Sequence, residues 1–363
     1  MIEGKILFFD KQIVTVDTDV NLESVEIIDA QGAYVSAGFI DIHIHGSGGA
    51  DVMDATPEAL KTISATLPRT GTTSFLATTM TMSQEKIIKS LENIRHSRSS
   101  LFGSQVLGVH LEGPFINASK HGAQDAAHVQ QPNISCIESY LDIIKMITIA
   151  PEVAGGEAFL LQMKKIAPDI VLSIGHSEAT YEESMKSFDN GISHVTHLFN
   201  AMPAYHHREP GIVGACFDRR DISCDIIADL VHTHPHHLRL AHHMKREQLI
   251  LITDAMRAGC MRNGTYDLGG REVRVRDKHA TLSDGTLAGS VLQLNEALQN
   301  MVAHTGMTLP EAVYSVTQAP AQKLRLSKGE LRSGYDSDLV IFDEDFSIIS
   351  TIVAGETVYQ RSE

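Results

Sequence analysis

Six side chains that commonly bind divalent metals each stand at the end of a short apolar run in the sequence. The first two, His43 and His45, are separated by one isoleucine. Because successive side chains of a β-strand point to opposite faces, both imidazoles project from one face and can hold one ion together. A single histidine at a strand end more often makes a structural hydrogen bond, so the inference depends on the whole set converging. The six residues are His43, His45, Glu112, His176, His197 and Asp254.

Other histidines and cysteines lack such a setting, although the chain has 19 histidines and four cysteines. The pair His206-His207 and a second group at 234–243 are expected on a surface helix or loop without supporting carboxylates, which makes them poor specific ligands. No two cysteines form a CxxC pair, so we expect reduced, buried thiols. The second histidine group is His234, His236, His237, His242 and His243, and the cysteines are Cys136, Cys216, Cys224 and Cys260.

From Gly38 onward, short β-branched or apolar segments alternate with helix-like segments. An eightfold alternation over about 250 residues predicts an α/β fold, a TIM (β/α)8 barrel, whose active site lies at the C-terminal ends of the strands. The predicted strands are Phe39–Ile44, Thr73–Ala77, Val106–Leu111, Ile147–Ala150, Ile170–Ile174, Ile192–Thr196, Cys224–Ala228 and Leu249–Thr253, and the predicted helices include Pro57–Leu67, Ser83–His96, Gly156–Ile166 and Ala179–Phe188.

The six candidate ligands fall at the ends of predicted strands one, three, five, six and eight. In a barrel these ends meet at one mouth, which would bring four imidazoles and two carboxylates together. This donor set matches the sites in which hydrolases hold divalent metal ions. The alternative is that each residue has a separate structural role, which would require a coincidence at five strand ends.

The two ends of the chain predict a smaller second unit. Residues 1–37 contain strand-like segments without helices, and residues 328–363 return to strands after a helical stretch. Because chain ends tend to lie close together, we expect a small β-sandwich domain built from both termini beside a catalytic barrel of residues 38–327. A polar hairpin is expected as an insertion after the eighth strand. The predicted strands are Lys5–Phe9, Gln12–Val16, Val25–Ile28, Gly32–Val35, Leu339–Phe342, Ser347–Val353 and Thr357–Tyr359; the hairpin is Arg271–Val275 with Ala280–Leu282, and the helical stretch is Leu292–Thr305 and Pro310–Leu324.

The composition places limits on partners. The chain has 363 residues, 43% of them hydrophobic and 21% charged, which excludes a disordered or fibrous protein. A formal net charge of −15 repels nucleic acid and anionic membranes, so an anionic substrate would need a local basic pocket. The first residues lack the apolar segment of a signal peptide, and we therefore expect a cytoplasmic protein without nucleic-acid or membrane partners.

Several motifs, in order along nearly the whole chain, resemble those of the amidohydrolase superfamily and, within it, of enzymes that deacetylate phosphorylated amino sugars. The His-x-His motif and the final aspartate are shared across the superfamily, whereas the segments around Glu112 and His197 are specific to the deacetylases. The motifs are Gly38-Phe39-Ile40-Asp41-Ile42-His43-Ile44-His45-Gly46, Leu111-Glu112-Gly113-Pro114-Phe115, Gly175-His176-Ser177, Thr196-His197-Leu198-Phe199-Asn200-Ala201-Met202, Arg208-Glu209-Pro210-Gly211, Asp254-Ala255 and Leu287-Ala288-Gly289-Ser290.

The resemblance implies hydrolysis of the acetamide of an N-acetylated sugar phosphate by one or two divalent ions per subunit, which could be zinc, iron, manganese or cobalt. Glu112, His176 and His197 would hold the first ion. His43 and His45 would hold a second, with Glu112 as the bridge, and Asp254 would be both a metal-site residue and the catalytic acid and base. The alternatives are another amidohydrolase, acting on a cyclic amide or an N-acyl amino compound, and a non-catalytic relative, which should have lost ligands.

The resemblance also assigns substrate contacts and implies a homodimer. Arg208 suits a phosphate group because its guanidinium offers several donors, although a surface ion pair with Glu209 is the alternative. His206 or His207 would assist across the dimer interface. The family more often has glycine in place of Leu230, which leaves the shape of the His232 loop open. The implied contacts are Ala123, Asn200, Ala201, His207, Arg208, His232, Leu287, Ala288, Gly289 and Ser290.

Overall fold

A computed structural model describes residues 6–17 and 26–362 of the chain. Its strands are β1 (Ile6–Phe9), β2 (Ile13–Asp17), β3 (Tyr34–Ala37), β4 (Phe39–Ile44), β5 (Gly46–Ser47), β6 (Ala50–Asp51), β7 (Thr72–Thr78), β8 (Gln105–Glu112), β9 (Ile144–Ile149), β10 (Val171–Ile174), β11 (Ile192–Val195), β12 (Ser223–Ile227), β13 (Leu249–Ile252), β14 (Gly264–Leu268), β15 (Arg271–Arg276), β16 (His279–Thr281), β17 (Leu339–Phe342), β18 (Ile348–Val353) and β19 (Glu356–Gln360). Its α-helices are α1 (Pro57–Thr66), α2 (Gln84–Ser97), α3 (Gly156–Ile166), α4 (Tyr181–Asp189), α5 (Gly211–Asp218), α6 (Pro235–Lys245), α7 (Leu294–Thr305), α8 (Leu309–Val316) and α9 (Gln318–Lys323).

Eight parallel strands form the predicted barrel, and an α-helix follows each of them except β8, which short 3-10 turns connect to β9. Strands of an all-parallel barrel are covered on both faces, and every side chain of β4, β7 and β12 is buried, the polar ones included. All eight predicted strands are confirmed. The fourth begins earlier than predicted, at Ile144, because Lys145 interrupts an otherwise apolar run without ending the strand. The order around the barrel is β4, β7, β8, β9, β10, β11, β12, β13.

The seam between the first and last barrel strands is closed by side chains as well as backbone. The sheet ladder ends at β13 on one side and at β4 on the other. The Thr253 hydroxyl donates to Asp41 Oδ2 at 2.6 Å, and the Asp254 N–H donates to the His43 carbonyl at 2.9 Å. Burial raises the pKa of Asp41 to about 7, although the hydrogen bonds that Asp41 accepts favour its ionised form and act to lower the pKa. Asp41 therefore ties together the two strands that carry His43 and Asp254.

The helices largely follow the sequence prediction. The helix predicted over Ala179–Phe188 begins two residues later, where Thr180 and Glu183 form a capping box. The stretch predicted as one helix over Pro310–Leu324 is two helices, α8 and α9, which meet at Thr317. Pro320 explains the break, because a proline fits only the first turn of a helix, where its missing N–H costs no hydrogen bond.

Both ends of the chain contribute to one small β-structure, as predicted. Strand β3 pairs with β17 in a four-stranded antiparallel sheet whose order is β19, β18, β17, β3. The β1–β2 hairpin attaches to it through hydrogen bonds of Ile13 to Tyr335 and Gly334. The strand predicted over Val25–Ile28 is wrong where it is described, since residues 26–28 have no regular structure; Val25 and Lys5, at the edges of two predicted strands, lie outside the described residues.

The predicted insertion after the eighth strand is a three-stranded antiparallel sheet, β14 to β16, rather than a two-stranded hairpin. The first strand escaped prediction because β14 is exposed on most of its length and lacks an apolar face. The Arg271 guanidinium donates to the Ala123 carbonyl at 3.1 Å, so the insertion rests on a loop at the mouth of the barrel. No helix within residues 6–17 and 26–362 has the length and apolar character needed to cross a membrane.

Candidate metal centre

His43 and His45 project from the end of β4 into the barrel mouth. Their Nε2 atoms lie 3.4 Å apart, and both side chains are buried. His45 Nδ1 lies 3.3 Å from the Thr78 carbonyl oxygen, which can only accept a hydrogen bond. The proton of a neutral His45 ring is therefore on Nδ1, and the lone pair of its Nε2 faces the centre.

A second group of donors forms around the carboxylate of Glu112, at the end of β8. Glu112 Oε1 lies 3.0 Å from His176 Nε2 and 3.2 Å from His197 Nε2, and the two imidazole nitrogens are 3.1 Å apart. The same carboxylate lies 3.4 Å from both His43 Nε2 and His45 Nε2. Glu112 is thus shared between the two groups of donors.

Asp254, two residues after the end of β13, completes the cluster from the opposite side of the seam. Its Oδ1 lies 3.5 Å from His43 Nε2 and 3.2 Å from His45 Nε2. The Asp254 side chain is 13% exposed, against 3% for Glu112, so it is the carboxylate that faces the open mouth. Burial would raise the pKa of Asp254, but the neighbouring histidines outweigh burial and lower it to about 2.

The donor set fits a divalent metal ion. His176 Nδ1 lies 2.7 Å from the Lys120 carbonyl oxygen, so Nε2 of a neutral His176 also presents a lone pair to the centre. Lone pairs and carboxylate oxygens about 3 Å apart repel one another unless a positive charge lies between them. Burial would lower the pKa of His197, yet the Glu112 carboxylate outweighs burial and raises it to about 9. Imidazole nitrogens with carboxylate oxygens are the ligand types of zinc and similar ions.

His110 provides a contrast within the same barrel. It is fully buried two residues before Glu112, and its ring lies 4.6 Å from that of His43. Both of its nitrogens have protein partners, the Ile42 carbonyl at 3.1 Å and the Thr148 hydroxyl at 2.7 Å. His110 is therefore a structural histidine, and its satisfied ring distinguishes it from the four that face the centre.

Sequence reasoning missed the side chains that hold this cluster in place. Gln124 is buried, donates to Glu112 Oε2 at 2.9 Å and accepts the Thr81 N–H at 2.7 Å. Glu152 accepts hydrogen bonds from Asn117 at 2.9 Å and Ser177 at 2.7 Å, which fixes the loop preceding Lys120 beside the end of β10. A glutamine in a polar loop gives no sequence signal for such a role.

Two aspartates inside barrel strands were also missed, although these had a usable signal. Asp41 accepts the His43 N–H at 3.1 Å, and Asp225 accepts the N–H of His197. Each stands in a completely buried strand, where an ionisable side chain requires buried partners. The alternation that aligns His43 with His45 also aligns Asp41 with them.

The predicted substrate residues lie on loops around the mouth. Ala123, Asn200 and Ala201 are partly exposed, and the Ala201 carbonyl accepts the Ser177 N–H at 3.2 Å beside His176. The Leu287–Ser290 turn joins the Asp254 segment, because the Ser290 N–H donates to the Asp254 carbonyl at 2.8 Å.

Arg208 and its histidine neighbours lie apart from the buried donors, on an exposed loop between β11 and α5. The Arg208 guanidinium lies 2.7 Å from His207 Nε2, not in the ion pair with Glu209 that was the alternative. The described structure therefore gathers Glu112, Asp254 and the four histidines but leaves Arg208 outside their contacts. The second histidine group includes His234, which caps α6, and its members lie at exposed or half-buried positions.

Leu230, at the position where glycine is more usual, adopts a left-handed backbone with φ of 65°. Asp229 holds the following turn by accepting the N–H groups of Val231 at 2.9 Å and His232 at 2.7 Å. Its other oxygen lies 2.6 Å from His232 Nδ1. The loop therefore keeps the conformation that glycine favours, at the cost of backbone strain in Leu230.

Comparison with known proteins places these residues in a family context. The model of the amidohydrolase family matches residues 34–358. The chain is 39% identical over 360 residues to N-acetylglucosamine-6-phosphate deacetylase of Lysinibacillus sphaericus, covering 97% of this chain and 92% of the relative.

Solved structures show the same similarity. The crystal structure of N-acetylglucosamine-6-phosphate deacetylase from Pasteurella multocida matches with a TM-score of 0.93 at 30% identity, over 99% of this chain and 96% of that chain. A mutant of the enzyme from Mycobacterium smegmatis, in complex with N-acetyl-D-glucosamine-6-phosphate, matches with a TM-score of 0.89 at 31% identity, over 97% of this chain and 93% of that chain.

Proposed function

The chain belongs to the amidohydrolase family, and we propose that it hydrolyses the acetamide of N-acetyl-D-glucosamine 6-phosphate to D-glucosamine 6-phosphate and acetate. The observation that carries this proposal is the convergence of four imidazoles and Glu112 beside Asp254, in a chain similar along nearly its whole length to deacetylases of that substrate. A non-catalytic relative would not be expected to keep all six residues.

Glu112, His176 and His197 would hold one divalent ion, and His43 with His45 would hold a second, with Glu112 shared between them. When bound, such an ion lowers the pKa of water and polarises a carbonyl group, which supplies a nucleophile near neutral pH. Zinc, iron, manganese and cobalt are all compatible with this donor set.

Asp254 moves the proton in this proposal. Its low pKa leaves it ionised at neutral pH, so it can accept a proton from the attacking water as the water oxygen joins the acetyl carbon. Asp254 then delivers that proton to the sugar nitrogen as the bond between carbon and nitrogen breaks. One carboxylate therefore serves first as base and then as acid, and acetate and the free amine leave.

The residues around the mouth would bind the sugar phosphate. Arg208 and His207 offer cationic and polar donors on an exposed loop, in a chain whose net charge of −15 otherwise repels phosphate. His232, Ala123, Asn200, Ala201 and the Leu287–Ser290 turn would contact the sugar. Binding energy from the phosphate, remote from the scissile amide, would orient the acetamide for attack.

We also propose that the protein is a cytoplasmic homodimer. The support for a dimer is the loop that carries Arg208, where Tyr205 is 51% exposed and lies next to the proposed phosphate donors. A second copy packed against this loop would cover that aromatic ring and add to the substrate site.

Acetate release from N-acetylglucosamine 6-phosphate by the metal-loaded protein tests the proposed function. We expect acetate and glucosamine 6-phosphate in equal amounts, and far slower turnover of unphosphorylated N-acetylglucosamine. Turnover of a cyclic amide or an N-acetyl amino acid in preference to the sugar phosphate would instead identify a different amidohydrolase. No turnover of any amide by protein with both metal positions filled would point to a non-catalytic relative.

A further inference from the structure

His197 adopts a backbone conformation that requires support. It follows the end of β11 with φ of 33°, in the left-handed region that side chains other than glycine seldom occupy. The residue has no freedom to relax outward, since it is 3% exposed and its Nε2 lies 3.2 Å from Glu112 Oε1. Something nearby must hold this turn so that the imidazole reaches the centre.

Asp225, on the neighbouring strand β12, contacts this turn twice. Its Oδ1 accepts the backbone N–H of His197, and its own carbonyl accepts the N–H of Leu198 at 2.9 Å. The side chain of Asp225 is completely buried. Two consecutive N–H groups of the turn are thus held by one residue of an adjacent strand.

The second carboxylate oxygen of Asp225 is fixed in turn by His194. His194 Nε2 lies 2.9 Å from Asp225 Oδ2, and its Nδ1 lies 2.7 Å from the hydroxyl of Ser223. His194 is also completely buried. Because a carboxylate can only accept, His194 Nε2 donates and Ser223 donates to Nδ1. Both oxygens of Asp225 therefore have a donor, and its side chain is fixed in a single orientation.

We propose that Asp225 is a positioning residue, which holds His197 in the geometry that binds metal by accepting its backbone N–H. Asp225 makes no contact with the metal-facing nitrogens in the hydrogen bonds described, so it acts through His197. The inference rests on the proposed function, because it assumes that the Glu112, His176 and His197 group binds a divalent ion.

Positioning and charge give different expectations for two substitutions. An amide oxygen accepts a backbone N–H as a carboxylate oxygen does, and the His194 tautomer can change to accept from the amide nitrogen while donating to Ser223. If the hydrogen bond is what matters, Asp225→Asn keeps the position of His197 and Asp225→Ala does not. If the negative charge of Asp225 attracts the ion, both variants lose affinity equally.

The test is the affinity of the tighter metal position for Zn²⁺, measured by competition with a chelator. We expect Asp225→Ala to weaken Zn²⁺ binding by about 10- to 100-fold, the usual effect of removing a residue that supports a ligand. Asp225→Asn should bind within about threefold of the parent, since the amide oxygen still accepts the N–H. If the alanine variant does not fold, Asp225→Ser should weaken Zn²⁺ binding in the same way, because the serine side chain is one atom shorter than that of aspartate.

Asp338 provides a matched control at the opposite end of the barrel. It is also a buried aspartate whose oxygens accept one backbone N–H, from Ala354 at 2.9 Å, and one side-chain donor, Lys328 at 2.7 Å. Asp338→Ala should therefore lower stability without changing Zn²⁺ affinity. Equal affinity in Asp225→Ala and the parent, or equal loss in Asp225→Asn and Asp225→Ala, would overturn the inference. A parent protein that binds no Zn²⁺ would instead contradict the proposed function.

Discussion

Three of the residues that line the centre adopt a left-handed backbone conformation. His176, His197 and Asp254 have φ values of 48°, 33° and 49°. Left-handed conformations of residues other than glycine cost about 1–3 kcal/mol each and persist only where surrounding contacts enforce them. All three are the second residue after a barrel strand, at the point where the chain must turn and still aim a side chain into the mouth. This strain is a physical reason to regard these positions as functional.

The first prediction concerns metal content. Replacing His197 with Ala removes one of three donors from the proposed tighter position, so bound metal and acetate release should be lost together. Replacing both His43 and His45 should lower the metal content by about one ion per subunit while the first position persists. Elemental analysis of the purified variants measures both effects.

The control for these variants is His243→Ala, which removes an exposed histidine of α6 and should change neither metal content nor activity. Full activity of a metal-free His197→Ala protein would contradict the proposed mechanism. Loss of both ions from the His43 and His45 variant would show that the two groups are not separate positions.

The second prediction separates substrate binding from chemistry. If Arg208 binds the phosphate, Arg208→Ala should lower kcat/KM for the phosphorylated sugar by roughly 10- to 150-fold, or about 1.5–3 kcal/mol, the value of hydrogen bonds to a charged group. The slow turnover of unphosphorylated N-acetylglucosamine should hardly change. Arg220→Ala, at an exposed arginine between α5 and β12, should affect neither substrate. Equal losses on both substrates would indicate a structural role for Arg208.

Among the elements, the loop after β8 leaves no room for a side chain at the position that follows Glu112. Gly113 follows Glu112 with φ of 74°, and a Cβ atom there would lie 2.1 Å from the Thr81 hydroxyl oxygen. Thr81 also donates its N–H to Gln124, which in turn donates to Glu112. A side chain at position 113 would therefore displace residues that hold Glu112.

The third prediction follows from this contact. Gly113→Ala should lower the free energy of unfolding by about 1–2 kcal/mol because of the left-handed backbone, and by about 1–3 kcal/mol more because of the steric clash. Its metal affinity should also fall. Gly306→Ala is the matched control, because Gly306 has φ of 79° but nothing within 4 Å of the added Cβ. Unfolding in denaturant and Zn²⁺ titration measure the two effects. Metal affinity equal to that of the parent in Gly113→Ala would mean that Glu112 does not depend on this loop.

The elements were largely predictable because their signals are local. An apolar run such as Leu249–Ile252 must be buried on both faces, and that is sufficient to predict a barrel strand. The exposed strand β14 has no such signal, and the break at Thr317 depends on how Pro320 is placed. Gln124 was not predictable because its role depends on contacts between segments far apart in sequence, whereas Asp225 had a signal, an ionisable side chain inside a buried strand.

At the scale of the whole molecule, the barrel contacts the small sheet that both ends of the chain form. The Gly38 N–H donates to the Asp338 carbonyl at 2.7 Å, where the first barrel strand begins beside the last part of the chain. The limits proposed for the units, 1–37, 38–327 and 328–363, pass close to this contact. The terminal sheet thus anchors the N-terminal end of the barrel, opposite the mouth, and leaves the loops of the mouth free to bind substrate.

The charge of the whole molecule and the charges of the centre act at different ranges. Exposed charges are screened by salt over about 8–10 Å, so the net charge of −15 affects encounter with an anionic substrate more than the buried chemistry. Lower ionic strength should therefore slow the approach of the sugar phosphate unless the donors at Arg208 and His207 offset the repulsion locally. The reaction itself depends on the buried cluster, and Asp254 is its most accessible carboxylate.

The most direct test of the account is acetate release from N-acetylglucosamine 6-phosphate by Asp254→Asn. This substitution keeps the shape of the side chain and one oxygen that can face a metal, but it removes the group that accepts and returns the proton. Proton transfer is typically worth about 10²- to 10⁴-fold, and both steps depend on this residue, so we expect a loss at the upper end of that range or beyond. At least one metal ion should be retained, and substrate affinity should stay within about tenfold of the parent, or about 1.4 kcal/mol. Turnover by Asp254→Asn within tenfold of the parent would show that another group moves the proton, and would contradict the mechanism.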